Sequence, residues 1–85
     1  MYAKIEKIKI LPNYIIETLF KTGELKTYDF KPLFKKYPTF LDLKDINIFK
    51  NATIEPGGYA ISWGPSLDIS ATEIFNNGKN EKEIV

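Results

Sequence analysis

Cysteine, histidine and arginine do not occur in this 85-residue sequence. Without cysteine there is no disulfide to staple the fold, no thiol nucleophile and no thiolate metal site. Without histidine the chain lacks the commonest general base near neutral pH, any serine–histidine pairing, and the usual nitrogen ligand for zinc, iron or copper. All twelve cations are lysine, so the rigid guanidinium fork that dominates base-edge and bidentate phosphate contacts is missing as well. No apolar run approaches the roughly 18 residues needed to span a bilayer. The opening MYAKIEKIKI alternates charge with isoleucine and has no signal-peptide apolar stretch. A cytoplasmic protein with no membrane segment is the expectation.

The composition is that of a globular chain, with 44% hydrophobic and 27% charged residues, too apolar for disorder. Its length admits one domain with a small core that buries about two-thirds of the extended surface. Net charge is only +1, but it is uneven: residues 1–50 hold ten lysines against six acidic residues, and residues 51–85 hold two against five. A nearly neutral, arginine-free domain is poorly suited to sequence-specific DNA binding. The uneven halves can still orient a charged protein partner.

Local patterns predict the elements. Lys4 to Ile10 reads as a strand, with Ile8 and Ile10 on one face and Ile5 on the other, so either regular packing begins after Ile5 or a bulge intervenes. Pro12-Asn13 is a turn. Tyr14 to Lys21 is apolar on both faces, as expected of an inner strand with something packed on its second side. Thr22-Gly23 reverses the chain into Glu24 to Phe30. Pro32 to Lys36 suits a short helical turn, and Thr39 to Lys50 an irregular segment with a helix over 46–49 that Asp42 or Asp45 can cap. Asn51 to Glu55 and Tyr59 to Trp63 pair around Pro56-Gly57-Gly58. Ser70 with Glu73 forms a capping box, and Ile69 with Ile74 a hydrophobic staple, for a helix over 71–77 ended by Gly78 in the left-handed conformation. The predicted fold is α+β: a small, mostly antiparallel sheet with a short C-terminal helix packed on it. Residues 1–78 form the single domain and 79–85, with four charges in seven residues, a frayed tail.

Candidate chemistry is sparse. Asp42 and Asp45 can meet on a helical turn, but only Asp29 is near enough in sequence to join them as a third metal ligand or catalytic carboxylate. An enzyme using carboxylates or lysine requires these groups to converge in a pocket, and no cofactor or metal is expected. Ser62, Ser66 and Ser70 have no activating base. The Pro56-Gly57-Gly58-Tyr59 turn lacks the lysine and hydroxyl residue of a phosphate loop. Lys31, Lys35, Lys36 and Tyr37 form a small basic, aromatic patch able to follow a phosphate backbone while Tyr37 stacks on a base. Tyr28, Tyr59 and Trp63 are the aromatics best suited to a protein interface, although a lone tryptophan in so small a core also serves packing. The alternating lysines of the first strand discourage unwanted edge pairing; a less defended edge allows self-association or pairing with a partner strand.

Several short segments together resemble the small bacterial family catalogued as domain of unknown function 2442: Leu11-Pro-Asn-Tyr14, Phe20-Lys-Thr-Gly-Glu24, Tyr28-Asp-Phe-Lys-Pro-Leu33, Phe40-Leu-Asp-Leu-Lys-Asp45 with Phe49, Gly57-Gly58, Ile61-Ser-Trp63, Asp68-Ile-Ser70 and Glu73-Ile-Phe-Asn-Asn-Gly78. The resemblance spans about residues 5–78. It implies a small α+β domain, similar to the N-terminal part of longer bacterial proteins in which a helix-turn-helix domain follows; no such domain follows in this sequence. Relatives encoded beside another small protein imply an antitoxin-like partner role. The resulting expectation is a protein-interaction domain, with weak nucleic-acid binding as the alternative.

Overall fold

β-branched and aromatic residues set the first three strands of the computed structural model, which describes residues 3–80. β1 (Ile5–Leu11), β2 (Ile15–Phe20) and β3 (Leu25–Asp29) form an antiparallel meander, and β7 (Lys79–Asn80) adds a fourth strand beside β3. Of the two readings of Ile5, the bulge is the one present: Ile5 is paired, opposite Phe20, yet Lys7 lies opposite Leu19. A second antiparallel sheet is built from β4 (Thr53–Ile54), β5 (Ala60–Ser62) and β6 (Asp68–Ser70). The fold is therefore α+β, with its strands divided between two small sheets.

Between β3 and β4 the chain makes a helical excursion. Helix α1 (Lys31–Lys36) has proline in its first turn, where the missing N–H costs nothing. Tyr37 is extended at φ −131°, as a residue before proline prefers, and ends the helix. A 3₁₀ stretch over Pro38–Lys44 and helix α2 (Ile46–Phe49) follow, the latter capped by Asp45, whose Oδ1 accepts the Asn47 N–H at 2.9 Å. Phe34, Leu43 and Phe49 are the buried anchors of the excursion. Tyr14 ties it back to the meander. Its ring meets Phe34 and Phe49 edge-on at 5.2 and 5.3 Å, and its hydroxyl donates to the Lys44 carbonyl. These contacts offset a backbone held at φ +60°, a conformation that costs a tyrosine on the order of 1–3 kcal/mol.

Helix α3 (Ala71–Asn77) packs on β3, β5 and β6. The staple residues Ile69 and Ile74 are both buried in the single core cluster, with Ile5, Ile16, Phe20, Phe30 and Ile61. Phe75 lies edge-on to Phe20 at 5.1 Å. Lys26 reaches the end of α3, donating to the Phe75 carbonyl at 2.7 Å, so a cation meets the negative end of the helix.

Four expectations need correction. Among the described residues no element layers over the second face of β2: Ile15, Glu17 and Leu19 are only partly buried, while Ile16, Thr18 and Phe20 on the other face are buried. Asp68–Ser70, read only as a cap and staple, is also a strand, pairing Ile69 with Ile61. Lys79–Asn80, assigned to the tail, pairs with Thr27 and Lys26; residues 81–85 of that tail lie outside the described residues. Gly78 is extended (φ −74°, ψ 156°), not left-handed. Its requirement is close approach, since a Cβ there would stand 2.5 Å from the Ile74 carbonyl oxygen and 3.2 Å from that of Thr27.

Gly78→Ala should lower stability by about 1–3 kcal/mol through this crowding, measured as a shift in urea midpoint at unchanged slope. Phe30→Ala, which empties a fully buried site, should cost about 3–5 kcal/mol. Measured against a total of about 4–13 kcal/mol, that loss should lower the urea midpoint by at least about a quarter and abolish the transition at the low end of the range.

Candidate functional site

The end of β3 organises the region that carries most of the residues singled out by sequence. Asp29 Oδ1 accepts the Lys31 N–H at 2.9 Å, fixing the entry to α1, and the Lys31 ammonium lies 3.0 Å from the same oxygen. That ammonium also donates to the Asn13 carbonyl, so Lys31 is committed to the strand–helix junction. Phe30, between Asp29 and Lys31, is fully buried. Tyr28, two residues before it, faces the core and α3, whereas Lys36 and Tyr37 close α1 on the surface.

Between α1, the 3₁₀ stretch and the start of α3 lies an open cleft of about 370 Å³. Its walls include Tyr28, Leu33, Lys36, Tyr37, Phe40 and Glu73. Tyr37 and Phe40 meet edge-on at 6.3 Å, and the Lys36 ammonium lies 5.9 Å from the Tyr37 ring centre. At one side the Tyr28 hydroxyl donates to Glu73 Oε2 at 2.9 Å. Burial, and then the Glu73 carboxylate that accepts its proton, push the Tyr28 hydroxyl well above the ordinary tyrosine range. It is a neutral donor at any physiological pH. This contact also modifies the predicted capping box. Ser70 Oγ accepts the Glu73 N–H at 3.0 Å as expected, while the Glu73 carboxylate turns to Tyr28.

The structure thus brings Tyr28, Lys36 and Tyr37 together across the two sets named from sequence, and leaves the others apart. Lys31 and Lys35 border a separate depression with Asp29 and Pro32. Tyr59 is exposed elsewhere, over Gly57, with the Lys4 ammonium 5.4 Å from its ring centre. Trp63 is half-buried; its ring stacks on Phe49 at 6.1 Å and its N–H donates to the Phe49 carbonyl at 2.8 Å. Asp45 serves as the cap of α2, and no group of three or more acidic residues able to hold a metal occurs among the described residues. Phe40, Leu33 and Glu73 were not singled out as site residues. Phe40 and Leu33 carried the same apolar signal as core residues, and Glu73 read as a cap.

The cleft thus has apolar and aromatic walls, the Lys36 ammonium at its rim and the Tyr28–Glu73 pair at one side. No described helix is long and apolar enough to cross a membrane. The family model described as "Protein of unknown function (DUF2442)" matches residues 5–80. The chain belongs to this family. No curated protein and no solved structure matches it. The DUF2442 span starts with the first residue of β1 and ends with the last of β7, so the closing strand falls inside the family's unit.

The held proton has a pH signature. An unfolded tyrosine ionises near about pH 10, and the folded Tyr28 only at higher pH, so its contribution is complete below about pH 10 and lost as pH rises further. Tyr28→Phe should cost about 1 kcal/mol at neutral pH. It should also flatten the alkaline fall in stability relative to the parent chain, as read from urea midpoints between about pH 9 and 11. Parallel alkaline profiles for the two proteins would contradict the assignment.

Proposed function

We propose that this chain is a cytoplasmic protein-binding domain, not an enzyme, and that its partner covers the aromatic cleft together with the apolar side chains that follow it in the chain. One observation carries the reading. Of the five large hydrophobic residues that are exposed among the described residues, four (Tyr37, Leu41, Ile46 and Ile48) fall within residues 37–48. That segment also supplies Phe40 to the cleft. A small domain that needs every apolar side chain for its core does not gain by leaving this set in water, unless another surface covers it. Aromatic rings beside such residues bury much area at little entropic cost, as interface anchors do.

Charge supports a selective partner. Lys35, Lys36, Lys44 and Lys50 are exposed along the same excursion, with Asp42 and Asp45 as its acidic residues, so an acidic protein surface is favoured in approach and orientation. A neutralising, antitoxin-like role toward a second small protein is the specific form of this proposal. Nucleic-acid binding is less supported. Of the four residues proposed for it, Lys31 is tied to Asp29 and Asn13, and Lys36 and Tyr37 border the cleft.

The test uses the chain expressed in its native bacterium and a variant carrying Leu41→Asp and Ile48→Asp, both surface positions. The parent chain should co-purify with a protein in fixed proportion, and the reconstituted pair should weaken about tenfold or more in the variant at unchanged urea midpoint. A parent chain that elutes alone counts against the proposal. So does a variant that keeps its partner, or a companion that is nucleic acid and leaves as salt rises.

A further inference from the structure

The longest strand of the protein lies at a sheet edge. β1 has β2 on one side and, from Lys7 to Leu11, no strand on the other among the described residues. Hydrogen-bond parity identifies which backbone groups that edge presents. Phe20 donates to the Glu24 carbonyl and Tyr14 accepts from the Phe30 N–H, so even-numbered residues of the β2 segment face β3 and odd-numbered ones face β1. Their partners Lys7, Lys9 and Leu11 therefore turn their N–H and C=O groups to β2. Ile8 and Ile10 turn theirs outward, and no described residue bonds them. Unpaired groups on an extended edge are a template for a further strand.

The side chains along this edge select what is added. Ile8 and Ile10 stand opposite the buried Thr18 and Ile16 on the core face, but are themselves only half-buried. Lys7 and Lys9 are exposed on the other face and enter no ion pair among the described residues. A second copy of this chain is a poor occupant. With both cores on the same side, an antiparallel pairing centred on Lys7, Ile8 or Lys9 sets lysine directly opposite lysine. The same lysines suit a strand of opposite charge, with apolar residues at alternate positions to cover Ile8 and Ile10.

We propose that the free edge of β1 accepts an extended segment of another protein in which acidic side chains alternate with apolar ones. The lysines act twice, repelling a second copy and pairing with the acidic strand, so specificity comes from an unfavourable alternative as well as a favourable contact. This surface is separate from the cleft of Tyr37 and Phe40, and either can operate without the other.

The probe is a soluble peptide of about seven residues alternating glutamate with valine, compared with its lysine-for-glutamate counterpart, using amide hydrogen exchange of the full chain followed by NMR. At saturation the acidic peptide should slow exchange at the Ile8 and Ile10 amides about tenfold more than the basic one. The variant Lys7→Glu with Lys9→Glu, altered only at exposed positions, should reverse the preference. Three results overturn the proposal: no protection of Ile8 and Ile10 with the acidic peptide, equal protection by both peptides, or protection without peptide that grows with chain concentration. Shifts confined to Tyr37 and Phe40 also overturn it, while leaving the cleft reading intact.

Discussion

Phe30 is the constraint on which the rest of the structure depends. It separates the last residue of β3 from the first of α1, and its ring is wholly buried. Tyr28, Phe49 and Trp63 meet it edge-on at 5.0, 5.4 and 5.5 Å. Those three rings come from the meander, from α2 and from the segment leaving β5. One side chain thus joins both sheets and the helical excursion, through contacts each worth about 0.5–1.5 kcal/mol beyond area burial. Fixing Phe30 fixes the start of α1, and with it the distance from Tyr28 on the sheet to Lys36 and Tyr37 on the helix. The cleft is a by-product of that spacing.

β3 is used from several directions at once. The Tyr28 hydroxyl holds Glu73 in the first turn of α3, Lys26 holds the Phe75 carbonyl near its end, and the β3 backbone receives β7. The short helix is clamped at both ends by one strand. A helix of seven residues has little stability alone in water, so these clamps and the burial of Ile74 are what keep it in place.

Legibility in the sequence followed distance along the chain. The staple of Ile69 and Ile74, the Asp45 cap and the hairpin at Gly23 involve residues within a few positions of one another, and their residue types announce them; the phase break at Ile5 was visible, but only its pairing with Phe20 makes it a bulge. Tyr28 with Glu73 does not, because a capping-box glutamate reads the same wherever its carboxylate points. Asp68–Ser70 is too short for a strand period to show. Gly78 signalled an ending correctly but for another reason: its neighbours, the Ile74 and Thr27 carbonyls, are brought together only by the fold. The cleft was half legible. Tyr28, Lys36 and Tyr37 stood out as chemistry, yet nothing local distinguished Leu33 or Phe40 as lining from the same residues as core.

The pairing of Thr27 with Lys79 has a consequence for how the molecule is made. β1, β2 and β3 are contiguous hairpins and leave the ribosome as a complete local unit, with contacts that form quickly. Their closing neighbour is among the last described residues to be synthesised. Until then β3 is a second bare border, and the nascent chain passes through an interval in which both margins of its main sheet are open to pairing with other chains.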